Sequence, residues 1–302
     1  MTMIYEVKLN PFYLTVEELC QIVRYKNLKS NFSKKMYGNH NLLFMVLYKE
    51  KLQMSWNRFI RFANEINLPR QISIKKMPVK STFIEFVKRT PKTVFEQFVR
   101  SCKKLLKLDN ITAAINGTGF SNTNPSHHYL KRCKKQNKEI SVKNYTKTVF
   151  LADIKNNLIL DVRTTSRHEH ETTAFKPMVK RLHKCLKIML ADKGYDSMSN
   201  RKICWNNGID VHIPFRKWSE SRHQEFGLPS KRKLAEQKFD KTIYNQRALV
   251  ESVNSAIKQT LGGFVRARTM SQQQKTVTLK AITYNIEHIQ RKTKIVILLD
   301  IQ

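Results

Sequence analysis

One stretch decides how this chain is interpreted, namely Tyr244-Asn245-Gln246-Arg247-Ala248-Leu249-Val250-Glu251-Ser252-Val253-Asn254-Ser255-Ala256-Ile257-Lys258. Within it, Arg247, Glu251 and Lys258 follow Tyr244 at offsets of 3, 7 and 14 residues. In a continuous α-helix, at roughly 100° per residue, these four side chains fall within an arc of about 60°. A face with one acid, two cations and a phenol could hold a metal ion and the phosphates around it. The simpler alternative is a solvated charged stripe with an i, i+4 ion pair.

The charge of the chain predicts a polyanionic partner. The 302 residues are 41% hydrophobic and carry a formal net charge of +33. The positive charge is not confined to one arm. Up to Asn110 the chain has 21 Lys and Arg and 8 Asp and Glu, and after Asn110 it has 35 Lys and Arg and 15 Asp and Glu. We therefore expect nucleic acid as the partner, with an anionic membrane surface as the rival. No membrane-spanning segment is expected, since no run of about 20 apolar residues occurs.

The cysteines favour a reducing compartment over a disulfide or zinc framework. None of the five pairs at the two-to-four residue spacing of a structural zinc site, so we expect buried thiols. They are Cys20, Cys102, Cys133, Cys185 and Cys204. An odd number of cysteines in a chain without a secretion signal is typical of cytosolic proteins. A basic protein in the cytosol is expected to associate with the nucleoid.

The first part of the chain predicts a basic helical region. Apolar residues recur at helical spacing from about Tyr13 to Leu106. Such a region could place a helix in a DNA groove, or it could be a purely structural lobe. We assign residues 1–108 to this helical, DNA-binding region and residues 109–302 to a second domain.

After Asn110 the pattern changes to alternating strands and helices. Strands are expected at Ile111–Ile115, Thr146–Ile154, Leu158–Thr164, Leu186–Ala191 and Asp210–Ile213. Helices are expected at Glu171–Lys184 and Ser199–Asn207, with a polar loop or insertion near 214–240. Three successive strands followed by alternation predict an α/β fold, with a mixed sheet flanked by helices.

Three oxygen-bearing side chains are predicted to meet at one end of this sheet. Asn116 ends the first strand, Asp192 ends the fourth, and Glu251 lies on the last helix. Hard cations such as Mg²⁺ favour clustered carboxylate oxygens, and two such ions can promote phosphoryl transfer. For Asp192 alone, a turn or cap residue is the alternative interpretation.

At this point the chain resembles the DDE transposases of insertion sequences, in the branch marked by Tyr, two residues, Arg, three, Glu, six, Lys. Tyr244, Arg247, Glu251 and Lys258 match that spacing without a gap. Two further segments resemble the surroundings of the two aspartates of the family. They are Asn116-Gly117-Thr118-Gly119-Phe120-Ser121 and Leu190-Ala191-Asp192-Lys193-Gly194-Tyr195-Asp196.

The resemblance implies an RNase H-like catalytic domain that depends on Mg²⁺ or Mn²⁺. It implies binding to double-stranded DNA, at the terminal inverted repeats of a mobile element and at its target, and we expect a homodimer in the DNA complex. Asn116, Asp192 and Glu251 would then be the catalytic and metal-ligating residues. The other three signature residues would hold the phosphates of the element ends. The implied reaction is hydrolytic nicking followed by attack of a 3′-OH on target DNA.

Other basic residues are candidate DNA contacts. Lys193 adjoins Asp192, and Arg216 lies beside Trp218. Arg266 and Arg268 follow Gly262-Gly263 and resemble a phosphate-binding loop, with simple solvation as the alternative. His168 and His170 could line the site or lie in an exposed loop, and Trp205 could belong to the core or stack on a base.

One departure from the family leaves two main hypotheses. The family has Asp where this chain has Asn116, and an amide offers one neutral carbonyl oxygen rather than an anion. The chain is therefore either a metal-dependent transposase or a catalytically silent, domesticated or decayed DNA-binding protein derived from one. A basic ribosome- or membrane-associated protein without a metal site is a distant third. The nearby acids Asp153 and Asp161 do not fall at the first ligand position in the pattern.

Overall fold

We describe the protein from a computed structural model, in residues 10–25, 36–122, 132, 136, 145–165, 169–216 and 230–299. The chain divides into two compact units. The helical unit joins Met1–Leu106 to Ile257–Gln302, and the sheet unit consists of Lys107–Ala256. The predicted boundary near residue 108 gave the whole remainder to the second domain. In the structure the last part of the chain belongs with the helical unit instead, because its long final helix packs there.

The described elements are numbered in chain order. The helices are α1 (Pro11–Val23), α2 (Asn39–Lys51), α3 (Trp56–Glu65), α4 (Leu68–Gln71), α5 (Lys80–Arg89), α6 (Lys92–Leu105), α7 (Phe175–Leu182), α8 (Met198–Trp205), α9 (Ser230–Gln237), α10 (Lys241–Asn245), α11 (Leu249–Leu261) and α12 (Met270–Leu299). The strands are β1 (Ile111–Ser121), β2 (Tyr145–Asp153), β3 (Leu158–Thr165), β4 (Leu186–Ala191) and β5 (Asp210–His212).

The helical unit is held together by packing of α12 against α1, α2 and α6. Its core is rich in aromatic rings, because phenylalanines recur at helical spacing in the N-terminal helices. Trp56 stacks on Phe83 with centroids 4.8 Å apart, and Phe44 stacks on Tyr48 at 5.3 Å. The predicted helical N-terminal region is thus confirmed.

Two buried lysines of α12 donate hydrogen bonds to backbone carbonyl groups at the C-terminal ends of other helices. Lys275 Nζ donates to the carbonyls of Val87 at 3.0 Å and Lys88 at 2.7 Å, in the last turn of α5. Lys280 Nζ donates to the carbonyls of Leu261 and Gly262, where α11 ends. Burial lowers the pKa of both ammonium groups. Cations at these ends complement the helix dipole and the unpaired carbonyls.

The sheet unit has the RNase H-like topology that the resemblance implied. Its five strands lie in the order β3-β2-β1-β4-β5. β1, β2 and β3 are antiparallel neighbours, whereas β4 and β5 run parallel to β1. The strands bury apolar side chains on both faces, as expected for a sheet that helices cover on both sides.

Some predicted boundaries differ from the structure. β1 continues past Asn116 to Ser121, because β2 pairs with it along its whole extension. The region predicted as one loop near 214–240 contains α9. The predicted helix from Tyr244 to Lys258 is interrupted by a 3₁₀ turn at Gln246–Ala248, between α10 and α11.

Two negative expectations concern membranes and disulfides. None of the described helices is both long enough and apolar enough to cross a membrane. Cys20, Cys102, Cys185 and Cys204 are free and buried, as predicted, and Cys133 lies outside the described residues.

Candidate active site

The structure places Asn116 and Asp192 side by side, just after the point where the pairing between the parallel strands β1 and β4 ends. Asn116 does not end β1, as the sequence predicted, because β1 continues to Ser121. Ile115 of β1 pairs with Ala191 of β4, and each candidate residue comes next in its chain. Asn116 is half-buried, and its Oδ1 accepts a hydrogen bond from the Gly117 amide at 2.9 Å. Asp192 Oδ1 accepts from the Gly194 amide at 2.7 Å. Asp192 is therefore a turn cap, as the alternative interpretation held, and also lies at the strand end that the site requires.

Glu251 forms the ion pair that the simpler interpretation predicted. Its Oε1 lies 2.6 Å from Arg247 Nη2, one helical turn earlier. The glutamate side chain is 57% exposed and the arginine 18% exposed. An exposed pair of this kind stabilises a fold by about 0–1 kcal/mol, so little opposes its opening.

The signature residues do not share one regular helix face. Tyr244 lies in α10, Arg247 in the 3₁₀ turn, and Glu251 in the first turn of α11. A 3₁₀ turn advances about 120° per residue instead of 100°, so the calculated arc does not apply across it. The continuous-helix prediction was wrong for this reason.

Lys258 lies in the last turn of α11, in the helical unit. It is half-buried, and burial lowers the pKa of its ammonium group. In the same unit, Arg266 is exposed and lies over the ring of Phe264, 5.2 Å from its centroid, and Arg268 is exposed. In the sheet unit, Tyr244 packs against another aromatic ring, that of Phe239, with centroids 5.6 Å apart.

Tyr195 is a buried residue of the turn that follows Asp192. Its side chain is 1% exposed, and its hydroxyl has no hydrogen-bond partner within the described part of the chain. Burial raises the pKa of this phenol most, the charges of Glu171 and Asp192 raise it further, and the charge of Arg247 opposes them. Asp192 and Arg247 therefore act on the same buried group. An unsatisfied buried hydroxyl costs about 1–3 kcal/mol.

Glu171 contacts β1 at Gly117, on the face of the strand opposite to the Asn116 side chain, and the sequence pattern did not predict this contact. It begins the 3₁₀ turn Glu171–Ala174, and its carboxylate occupies the space where a Cβ of Gly117 would lie. Lys147 Nζ of β2 lies 3.5 Å from its Oε1. A glycine is thus required beside Asn116 for this close approach, and the glycine was the signal that sequence reasoning could have used.

Arg216 clamps the loop that follows Asp192. Its Nε donates to the Lys193 carbonyl at 3.1 Å and its Nη2 to the Gly194 carbonyl at 2.9 Å. Its backbone amide donates to Asp196 Oδ2 at 2.8 Å. Arg216 therefore holds the loop after Asp192, and the Lys193 side chain in the same loop is exposed.

A buried ionic network supports that loop from behind. Asp196 accepts from Arg201 Nη2 at 2.9 Å and from Arg232 Nη2 at 3.0 Å, and both guanidinium groups lie over the Phe215 ring. Burial by itself raises the pKa of the Asp196 carboxyl. The hydrogen bonds from the Arg216 amide and the two guanidinium groups outweigh that effect and hold the pKa below its usual value.

The other two nearby acids lie away from Asn116. Asp153 is opposite Ala113 at the other end of β1, where it accepts from the Lys155 and Asn156 amides. Asp161 is fully buried in β3 and bound by Arg181, with Nη2 at 2.6 Å from Oδ2. Both carboxylates are engaged in the fold, so neither replaces Asn116.

The remaining candidates lie apart from this cluster or outside the description. His170 is exposed and caps the turn at Glu171, with its Nδ1 2.9 Å from Thr172 Oγ1. Trp205 is 36% exposed at the end of α8. His168 and Trp218 lie outside the described residues.

The chemistry of the donors fits a divalent cation, although no centre is preformed. Among the residues that the structure describes, no three His, Cys, Asp or Glu side chains are grouped to hold a metal ion. The donors at the strand ends are amide and carboxylate oxygens, which are the ligands that Mg²⁺ and Mn²⁺ prefer.

Comparison with known proteins points to one family. A family model described as "Transposase DDE domain" matches residues 99–286. No curated protein sequence matches the chain significantly. Among solved structures, the chain is similar to a piggyBac transposase in a synaptic complex with hairpin DNA, with a TM-score of 0.42 and 11% sequence identity. That similarity covers 96% of this chain and 80% of the other.

Proposed function

Since the chain belongs to the transposase DDE domain family, we propose that it is the transposase of an insertion sequence. It binds the terminal inverted repeats of its element, cleaves DNA strands there and transfers them to target DNA, with Mg²⁺ or Mn²⁺. The observation that carries the proposal is the position of Asn116 and Asp192 directly after the last paired residues of β1 and β4, inside the matched segment.

Asn116, Asp192 and Glu251 are proposed as the metal-ligating residues. Bound divalent ions would activate a water molecule and stabilise the leaving oxygen of the phosphodiester. Asp192 is held at the end of β4 by the Gly194 amide, and Arg216 fixes the loop behind it. Glu251 must exchange its partner Arg247 for the site, which a weak exposed ion pair permits.

DNA contacts are proposed for Tyr244 and for exposed and half-buried basic residues of both units. The net charge of +33 favours a large phosphate footprint. Tyr244, Arg247 and Lys258 are the proposed contacts to element ends, and Lys193, Arg216, Arg266 and Arg268 are additional phosphate contacts. We also propose that the helical N-terminal region contributes to DNA binding, that the protein acts as a homodimer on DNA, and that it is associated with the nucleoid in the cytoplasm.

A second candidate function is a catalytically inactive DNA-binding protein derived from such a transposase. Two observations favour it. Asn116 carries no charge at a position where the family has a carboxylate, and Glu251 is neutralised by Arg247. This protein would bind element ends and leave them intact.

Binding and cleavage of a defined duplex distinguish the two candidates. The substrate is a labelled duplex carrying the inverted repeats that flank the coding region, compared with a scrambled duplex of equal length. An active transposase nicks the cognate duplex with Mg²⁺ or Mn²⁺, does not do so with a chelator, and loses the activity in Asp192→Asn. Binding without nicking indicates the inactive form, and equal affinity for both duplexes contradicts recognition of element ends.

A further inference from the structure

Helices α2 and α3 are joined by a short turn that hydrogen bonds fix in place. The turn consists of residues 52–55, and Gln53 within it has a left-handed backbone with a φ of 51°. The Gln53 side chain donates from Nε2 to the Thr260 carbonyl at 2.7 Å. Ser55 caps α3, because its hydroxyl accepts from the Arg58 amide at 3.4 Å. Two helices joined by a turn of this length are the arrangement of a helix-turn-helix.

The second of these helices, α3, buries one face in the helical unit. Phe59 and Ala63 are fully buried, and Trp56 stacks on Phe83 of α5 with centroids 4.8 Å apart. Tyr48 of α2 meets Phe59 edge to face, with centroids 6.3 Å apart. These contacts hold α3 against both α2 and α5, so the direction in which its opposite face points is fixed.

That opposite face of α3 is polar and exposed. At roughly 100° per residue its exposed side chains fall within an arc of about 120°, and they are Asn57, Arg58, Arg61, Asn64 and Glu65. Arginine pairs with guanine and asparagine with adenine through two hydrogen bonds each in the major groove of DNA. In a helix-turn-helix the N-terminal part of the second helix meets the base edges. Three of these side chains lie in the first two turns of α3.

The charge of α3 and of the segment after it is not neutralised by the described part of the protein. Every Lys, Arg, Asp and Glu from residue 57 to residue 80 is exposed, and six cations stand against one acid, a balance of +5. The acid is Glu65, and the cations are Arg58, Arg61, Arg70, Lys75, Lys76 and Lys80. Within the described residues none of these seven groups forms an ion pair. This surface therefore complements a polyanion such as the DNA backbone.

We propose that α2 and α3 form a helix-turn-helix, and that α3 reads base sequence in the major groove of the element ends. Asn57, Arg61 and Asn64 contact base edges, and the exposed lysines Lys75 and Lys76 contact phosphates. Sequence recognition is thereby assigned to the helical unit, and strand cleavage to the sheet unit. The inference rests on the proposed function, because it assumes that the protein binds the ends of its element.

Asparagine variants test base reading without a change of charge. Fluorescence anisotropy measures the affinity of the full chain for a labelled duplex with the inverted repeats that flank the coding region, and for a scrambled duplex. Asn57→Ala and Asn64→Ala should each weaken binding to the first duplex by about 10-fold and leave binding to the second unchanged, since one good bidentate base contact discriminates by about that factor. Asn206→Ala, at an exposed position after α8, is the matched control and should bind both duplexes as the wild type does.

Lysine variants separate phosphate contacts from base contacts. Lys75→Gln and Lys76→Gln should weaken binding to both duplexes by the same factor, and each should lower the slope of log affinity against log salt by about 0.9. The asparagine variants should keep the wild-type slope. Alanine is a better helix former than asparagine, so these variants should fold, and circular dichroism verifies it. Equal weakening of both duplexes in Asn57→Ala and Asn64→Ala would overturn the assignment of base reading to α3.

The outcomes also separate this inference from the proposed function. If the wild type prefers the inverted repeats and both asparagine variants keep the full preference, the role of α3 is wrong and the proposed function stands. If the wild type binds both duplexes with equal affinity, recognition of element ends is wrong, and the assignment of α3 is wrong with it.

Discussion

Asn116 and Asp192 are neighbours across two parallel strands, because Ile115 and Ala191 immediately before them are paired in the sheet. One of the two is neutral and the other is an acid. Replacing the amide of residue 116 by a carboxylate therefore changes the charge of the candidate site with almost no change in side-chain shape. A single substitution can thus test the effect of that charge.

Replacing Asn116 by Asp should increase metal-dependent cleavage of cognate ends from little or nothing to a measurable rate. The substitution is nearly isosteric, and the new carboxylate can still accept the Gly117 amide while adding an anionic ligand. Gel analysis of nicked cognate duplex with Mg²⁺ measures the gain. Glu251→Gln in the same background should abolish it.

The opposite result would have a defined meaning. If the wild type cleaves as fast as Asn116→Asp, position 116 does not limit the charge of the site. Asp153 and Asp161 are bound elsewhere in the fold, so neither of them would supply the missing charge.

Binding to DNA should weaken steeply as salt increases. Each phosphate contact adds about 0.9 to the slope of log affinity against log salt for duplex DNA. Arg247→Ala and Lys258→Ala should each weaken binding and lower that slope by about one contact, as measured by fluorescence anisotropy at several salt concentrations. Lys202→Ala, an exposed lysine of α8, is the control and should bind as the wild type does. A slope that does not change in either variant would remove these residues from the interface.

The buried Asp196 network should make the sheet unit sensitive to acid. The folded-state pKa of Asp196 is lowered, so its carboxylate stabilises the fold above the unfolded pKa of about 3.9. That stabilisation is lost as the pH falls through the lower folded pKa. Asp196→Asn should therefore destabilise the protein at neutral pH by about 3–5 kcal/mol, the usual effect of removing one partner from a buried ion pair.

Urea unfolding at pH 7 and at pH 3 measures this effect. The difference between wild type and Asp196→Asn should shrink at the lower pH. Asp109→Asn, at an exposed position, should leave the free energy of unfolding nearly unchanged at pH 7. A difference between wild type and Asp196→Asn that is the same at both pH values would argue against the ionised network.

Lys280→Met should destabilise the helical unit by about 1–3 kcal/mol, because the carbonyls of Leu261 and Gly262 lose their buried donor. Thermal unfolding followed by circular dichroism at neutral pH measures the loss. Lys104→Met, at an exposed position of α6, serves as the control. Equal stability of the two variants would show that water satisfies these carbonyls in place of the lysine.

The strands could be predicted from the sequence where their own side chains determine them. Leu186–Ala191 is a short apolar run, and it forms β4 with the predicted bounds because it is buried between two parallel neighbours. The extension of β1 beyond Asn116 could not be predicted in this way. Its glycines favour a turn locally, and only the distant partner β2 keeps it extended.

The family could be predicted from the sequence, whereas the roles of the candidate site residues stay predictions. The resemblance identified Asp192 and Glu251, and the family assignment is confirmed. The 3₁₀ turn before α11 does not disturb the apolar spacing, so periodicity could not reveal it. Glu171 reaches Gly117 only through the fold, because it lies far along the chain in a turn with no strand or helix pattern.

The sheet unit is inserted between the two parts of the helical unit, and this affects the order of events during synthesis. The sheet unit, Lys107–Ala256, leaves the ribosome before α12, against which α1, α2 and α6 pack. We therefore expect the sheet unit to fold before the helical unit is complete. Until α12 is synthesised, the apolar faces of α1, α2 and α6 stay uncovered. Chains truncated after Thr269 and released from the ribosome should resist protease in the sheet unit and be cut in the first hundred residues. Before synthesis ends, the N-terminal helices are therefore the part of the chain that we expect chaperones to bind.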